Sequence, residues 1–246
     1  MTSPSEILRV VAHRPWPLPA GPWEMSQVWY DLLFAHWAIP PRVLQPFVST
    51  SLPLDTFEGE AWVSITPFHM DLRLRAIPIP GSLFHFPELN CRTYVTLGGK
   101  PGIYFFSLDA GSSLAVWGAR TFYRLPYHKA QMTIQNEGDR FNYSAKRVAS
   151  RASFEAQYAA QSPIHQAQPG TLQHWLTERY CLYTQSGEHI YRGEIHHAPW
   201  PLQDAACEIR ENSIAMAAGI ELPETTPLLQ FSRRLDVLVW SLHRIS

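Results

Sequence analysis

In the stretch PELNCRTYV, residues 87–95, every second residue from Glu88 carries a group that can bind a ligand or move a proton: Glu88, Asn90, Arg92 and Tyr94. A carboxyl group serves as acid or base, a guanidinium grips planar anions, and an amide and a phenol orient polar ligands. Between them stand Leu89, Cys91, Thr93 and Val95. A strict period of two marks a β-strand, so the four polar side chains share one face. That face either meets water, as one side of an antiparallel sheet commonly does, or lines an enclosed pocket for a small organic acid or carbonyl compound.

Other candidates lie downstream. Arg120 sits in SSLAVWGARTFYRLP, a helix pattern with Ser112 or Ser113 as N-cap, a stripe of Leu114, Trp117, Thr121 and Leu125, and Pro126 beyond its end. Its guanidinium can bind an anion or form a surface salt bridge. Tyr127 offers a hydroxyl donor or an ordinary core ring. Glu178 and Arg179 flank a helix end and read as structural. His196 and His197 are adjacent, so on a strand they face opposite sides, and no acidic or cysteine cluster joins them or His189 into a metal site. No Gly-rich phosphate loop, GxSxG elbow or Cys/His constellation occurs, so no cofactor is expected.

The elements that must position these residues are mostly strands. GEAWVSITPFHMDLRL alternates; IYFFSLDA returns from the glycine turn GGKPG and is apolar on both faces. A strand without a wet face needs cover on both sides, which encloses part of the polar face beside it. IPIPGSLFHFP reads as a Pro-rich loop, and paired Pro40 and Pro41 can start a short helix. Two more hairpins turn at NEGD and QSGE, GTLQHWLTERY reads as a helix with Leu172, Trp175, Leu176 and Tyr180 inward, and PLLQFSRRLDVLVWSL gives a last strand. The Pro-rich segment 14–23, RPWPLPAGPW, reads as a strap laid over the body.

Of the 246 residues, 46% are hydrophobic and 17% charged, which is a globular composition. Twenty basic against 21 acidic residues, with no basic run, exclude a nucleic-acid groove or an affinity for anionic membranes. A small-molecule ligand is the expected partner; a homo-oligomer is left open. Neither a signal peptide nor an apolar run of ~20 residues is seen, and Cys91, Cys181 and Cys207 are widely spaced and odd in number, so a cytoplasmic setting with reduced thiols is expected.

The segments LLFAHW, PELNCRTYV, YFFSLDA, RLPY, GTLQHWLTERYCLY and IHHAPWPLQ, in this order across nearly the whole chain, resemble the YqjF-like family of uncharacterised bacterial proteins. Residues 87–129 are in turn similar to the acetoacetate-decarboxylase-like superfamily: a polar strand, a hairpin carrying LD, a helix with an Arg, then a Pro. The resemblance implies one mainly β domain over residues 1–246, an antiparallel barrel of about seven strands with peripheral helices and a closed pocket. In the decarboxylases a lysine pair follows that Pro, and one member forms a Schiff base with the substrate ketone. Here Pro126 precedes Tyr127 and His128, and a phenol cannot form an imine. The chain has three lysines: Lys100 in a turn, Lys146 in a hairpin strand, and Lys129, which shares the face of Tyr127 on an extended segment. The expected site is therefore Glu88 as acid or base with Tyr127 as oxyanion donor, and Asn90, Arg92, Tyr94, Arg120 and Lys129 binding the ligand. A non-catalytic carrier or sensor with the same pocket is the alternative.

Overall fold

The computed structural model describes residues 3–77 and 85–245. The Pro-rich loop expected at IPIPGSLFHFP falls largely outside them. The chain forms β1 (Met25–Ile39), β2 (Ala61–Leu74), β3 (His85–Leu97), β4 (Lys100–Ala110), β5 (Tyr127–Glu137), β6 (Arg140–Arg147), β7 (Ser153–Ala160), β8 (Cys181–Ser186), β9 (His189–His197), β10 (Gln203–Asn212) and β11 (Leu228–Arg244). Helices are few: α1 (Pro4–Ile7), α2 (Pro41–Leu44), α3 (Ser113–Phe122) and α4 (Leu172–Thr177).

Backbone pairing runs without a break through β1, β2, β3, β4, β8, β9 and β11 and back to β1, a closed circuit of seven strands. β5, β6, β7 and β10 branch from it and form a second layer. The wholly antiparallel barrel expected above is corrected in two respects: among the described residues the sheet has eleven strands, and the contacts of β4 with β5 and with β8 are parallel. The cause is that β4 forks. Its first half closes the circuit through Ile103 and Tyr104 against β8, while Leu108, Asp109 and Ala110 pair with Tyr127, His128 and Lys129 of β5. A register shift opposite Cys91 and Arg92 bends the strand between the two halves. Gly102 permits the close approach to β8, since a Cβ there would lie 2.7 Å from the Cys181 sulfur.

β1 bends likewise. Asp31, at φ 50°, is the extra residue of a bulge, so the inward-facing set shifts from Met25, Gln27 and Trp29 to Leu32 and Phe34. The opposite faces of β1, β2 and β3 bury Leu33, Ile65, Leu89 and Cys91 against Phe141, Tyr143 and Phe154 of the second layer. Each such fully buried large apolar side chain contributes roughly 1.5–3 kcal/mol. β3 is consequently covered on both sides.

Ser112 caps α3 through the Ala115 amide. Of the expected stripe only Leu125, just past the helix, is buried: Thr121 is exposed and Leu114 and Trp117 are more than half exposed, while Val116 is buried and Ala115, Ala119 and Tyr123 pack inward. Small residues let the helix lie close over the end of the circuit, and the large ones ring its edge. α4 stops earlier than expected, at Thr177, because the Glu178 carboxylate accepts from the Trp200 amide and the Tyr180 hydroxyl, which draws Tyr180 out of the helix. The strap holds to β9: Arg14 donates to the Ile195 carbonyl at 2.7 Å and the Trp16 indole to Glu194 at 2.9 Å. No helix among the described residues is long and apolar enough to cross a membrane.

The two layers are tied by a buried, bidentate ion pair in which Arg147 of β6 donates to Asp109 of β4 at 2.7 and 2.8 Å. Removing one partner strands the other charge in an apolar setting. Arg147→Met is expected to cost about 3–5 kcal/mol in urea denaturation, and Asp109→Leu combined with Arg147→Met to recover most of that loss. A double variant as unstable as the single one would show that the pair's charges are not the source of the loss.

Candidate functional site

The circuit encloses a cavity of about 290 Å³, whose wall follows from the strand register. On β3 and β2, facing residues pair as Arg92 with Ser64, Asn90 with Thr66, Glu88 with Phe68, and Phe86 with Met70. β1 continues the ladder, with Trp29 opposite Met70, Gln27 opposite Leu72 and Met25 opposite Leu74. Polarity thus falls along the cavity, from Arg92 and Asn90 at a closed floor, through Glu88, to an apolar upper part that reaches the surface beneath α3.

Glu88 is almost wholly buried and accepts a hydrogen bond from the Tyr127 hydroxyl at 2.7 Å. Burial raises its pKa to about 8, with the Tyr127 hydrogen bond opposing the shift and the Asp109 charge adding to it. At neutral pH the carboxyl keeps its proton. Burial and the neighbouring Glu88 push the Tyr127 phenol well above its ordinary range, so it too is neutral. The pair is an uncharged proton donor system set in an apolar wall.

Arg92 sits toward the floor, with its guanidinium carbon 5.1 Å from the centre of the Phe34 ring. The buried guanidinium groups of Arg14, Arg147 and Arg179 pair with Glu194, Asp109 and Asp55. Among the described residues no carboxylate pairs with Arg92, and its Nε, the Asn90 Oδ1 and the Thr66 Oγ1 lack hydrogen-bond partners. Buried polar atoms without a protein partner are rare, and three of them meet at this one cavity floor, where water or a polar ligand group can bond them. Glu88 forms no ion pair with Arg92; four residues along the strand set their Cα atoms roughly 13 Å apart, and the Glu88 carboxyl is turned to Tyr127.

Glu88, Asn90, Arg92 and Tyr127 therefore meet in one cavity. Tyr94, although on the same strand face, lies below the floor, where its hydroxyl bonds Ser64 at 2.8 Å and its ring packs on Trp175. Arg120 is turned away: its Nε donates to the Tyr127 carbonyl at 2.6 Å, and it lines a separate surface cleft between α3 and β8. Lys129 donates to the Gly111 carbonyl just past the end of β4 and does not line the cavity. Arg179 pairs with Asp55. His196 bonds the Ile7 carbonyl and His197 stacks on Tyr180. Among the described residues no group of three His, Cys, Asp or Glu side chains is placed to hold a metal. Gln27 and Thr66 are cavity residues that the pattern did not single out. Thr66 was signalled by the alternation of β2, but nothing marked Gln27, which precedes the bulge of β1.

This architecture is similar in fold to that of acetoacetate-decarboxylase-like proteins. An acetoacetate decarboxylase from Legionella pneumophila superposes with a TM-score of 0.63 at 14% identity, over 98% of this chain and 95% of its own. The enduracididine biosynthesis enzyme MppR, solved with HEPES buffer, gives a TM-score of 0.65 at 12% identity, over 93% and 89% of the two chains. The chain itself belongs to the DUF2071 family, described as an uncharacterised conserved protein, whose model matches residues 26–236. It is 48% identical over 231 residues to the uncharacterised protein YqjF of Bacillus subtilis (strain 168), covering 93% of this chain and 96% of the relative.

The raised pKa of Glu88 carries a stability signature. Below about pH 4.5 the carboxyl is protonated in both folded and unfolded chains, and burial of the neutral group is fully tolerated. As pH rises toward 8 the unfolded chain ionises while the folded one holds its proton, so stability falls across that window, by at most about 1.4 kcal/mol per pH unit. Glu88→Gln, which mimics the protonated form, is expected to gain stability relative to the unaltered protein steadily from pH 5 to 8, measured by thermal unfolding. A difference flat with pH would mean that the carboxyl is not held neutral.

Proposed function

We propose that the cavity binds a small carbonyl-containing organic acid and that Glu88 exchanges a proton with it, without covalent lysine chemistry. The observation that carries this reading is the sharing of one cavity by the hydrogen-bonded Glu88–Tyr127 pair and an Arg92 guanidinium that has no carboxylate partner among the described residues. Arg92 takes the ligand's carboxylate, and Asn90 and Thr66 hydrogen-bond beside it. Glu88, fixed through one oxygen by Tyr127, presents its proton to the carbonyl, and Tyr127, whose single hydroxyl proton is given to Glu88, orients that carboxyl in place of donating to the oxyanion itself.

None of the three lysines supports an imine in the cavity. Lys100 pairs with Glu194 at 2.9 Å, Lys129 is held by the Gly111 carbonyl, and Lys146 is exposed on β6. In this reading the seven-strand circuit corresponds to the barrel of the decarboxylase-like proteins, and the similarly folded enduracididine biosynthesis enzyme MppR was solved in complex with pyruvate. The thiols of Cys91, Cys181 and Cys207 are free, in keeping with a cytoplasmic setting.

The test is a turnover screen of β-keto acids, enones and aldehydes. With an active substrate, Glu88→Gln is expected to lower kcat by roughly 10²–10⁴, and borohydride with a ketone to leave the mass of Lys129 unchanged. Undiminished turnover in Glu88→Gln would remove Glu88 from the chemistry, and a Lys129 adduct would restore the imine. Saturable binding without turnover, lost in Arg92→Met but kept in Glu88→Gln, would assign the cavity to a carrier or sensor.

A further inference from the structure

The upper part of the cavity is more apolar than a short keto acid needs. Above Glu88 the wall is built from Phe68, Met70, Phe86 and Leu72, and it ends at α3, whose Leu114 and Trp117 stand at the opening. Leu114, Trp117 and neighbouring Phe122 are each more than half exposed, although all three also line the cavity. Large apolar side chains kept at a cavity mouth cost nothing to an apolar guest and do little for a hydrated one.

Volume sets the size of that guest. Taking about 30 Å³ per water-sized atom, a cavity of 290 Å³ holds about ten non-hydrogen atoms. Three belong to a carboxylate seated on Arg92. About seven remain for the body, and the register that puts Arg92 at the floor and α3 at the mouth requires them to run through the apolar part.

We infer that the cavity is built for an amphiphilic monocarboxylate, with its acid group on Arg92 and an alkyl or aryl body of about seven carbons reaching toward α3. This rests on the role given to Arg92 above and adds the substrate class. The apolar body and the carboxylate contribute separately. Each buried methylene is expected to tighten binding about fourfold, and the guanidinium distinguishes acid from alcohol.

Calorimetric titration of the full chain with acetate, butanoate, hexanoate, octanoate, decanoate and 1-octanol tests this. Affinity is expected to climb about fourfold per methylene up to octanoate and to stop rising at decanoate. Octanoate should bind at least tenfold tighter than 1-octanol. Arg92→Met should erase that preference for the acid while leaving 1-octanol binding in place, which also shows that the variant is folded. Ala119→Leu, on the inward face of α3, should weaken octanoate and spare butanoate. Equal binding of acetate and octanoate, equal binding of octanoate and octanol, or a chain-length profile untouched by Ala119→Leu would each overturn the assignment. Such a failure, with turnover of a short keto acid still lost in Glu88→Gln, would remove the amphiphilic ligand and leave the proton-transfer reading standing.

Discussion

Burial of β3 on both faces is the constraint from which the rest of the molecule follows. Its outer face packs Leu89 and Cys91 against the second layer, and its inner face places Glu88, Asn90 and Arg92 inside the seven-strand circuit. Each polar group there must be neutralised, bonded or left for a ligand. Glu88 is neutralised by its proton and held by Tyr127; its own carbonyl accepts from the Tyr143 hydroxyl at 2.7 Å, so the second layer also fixes the backbone beneath it. On the other side of the wall the Asp109–Arg147 pair brings a carboxylate near enough to help keep Glu88 protonated. The apolar packing that stabilises the wall is therefore also what sets the acidity of its central carboxyl.

The fork of β4 converts this wall into a container. Were β4 to follow one neighbour along its whole length, either the circuit would stay open or the second layer would be joined to it only through β10 and β11. By leaving β8 after Tyr104 and joining β5 at Leu108, it serves both, and α3, which links β4 to β5, spans the gap. Arg120 fastens the far end of α3 to the Tyr127 carbonyl, so the helix and the hydroxyl that holds Glu88 are positioned together. Arg120 acts on the site through this anchoring and not by reaching into the cavity.

What could be read from the sequence was what local rules decide. The period of β3, the turn at Gly98 and Gly99 with φ of 61° and 72°, the Ser112 cap and the mainly β class all depend on neighbouring residues. β1 was not legible as a strand because its bulge at Asp31 breaks the alternation midway, and the need for that bulge lies in the curvature of the circuit. The face of α3 was misread for a related reason. Helical spacing identifies a stripe, but whether the large or the small residues point inward depends on how close the helix must lie, and here close approach selects Ala115 and Ala119. Among the site residues, Glu88, Asn90 and Arg92 follow from strand geometry, whereas the removal of Tyr94, Arg120 and Lys129 from the cavity depends on where the polar floor lies and where β4 ends.

The floor explains why Arg92 is available. Below it, the His36 ring bonds the Ser64 hydroxyl at 2.6 Å, and Ser64 bonds the Tyr94 hydroxyl at 2.8 Å. These are neutral groups. Burial first, and the Arg92 charge second, depress the His36 pKa to about 3, so the imidazole adds no positive charge beside Arg92 at neutral pH. None of the three can offset the guanidinium either, and the nearest aromatic face, Phe34, supplies only a weak electrostatic partner. Elsewhere this chain answers the same problem with a carboxylate, as at Arg14, Arg147 and Arg179. At Arg92 the carboxyl group on the same strand face is Glu88, which is turned to Tyr127 and held protonated by its surroundings. The burial that discharges Glu88 thus also leaves the Arg92 guanidinium without a carboxylate partner among the described residues.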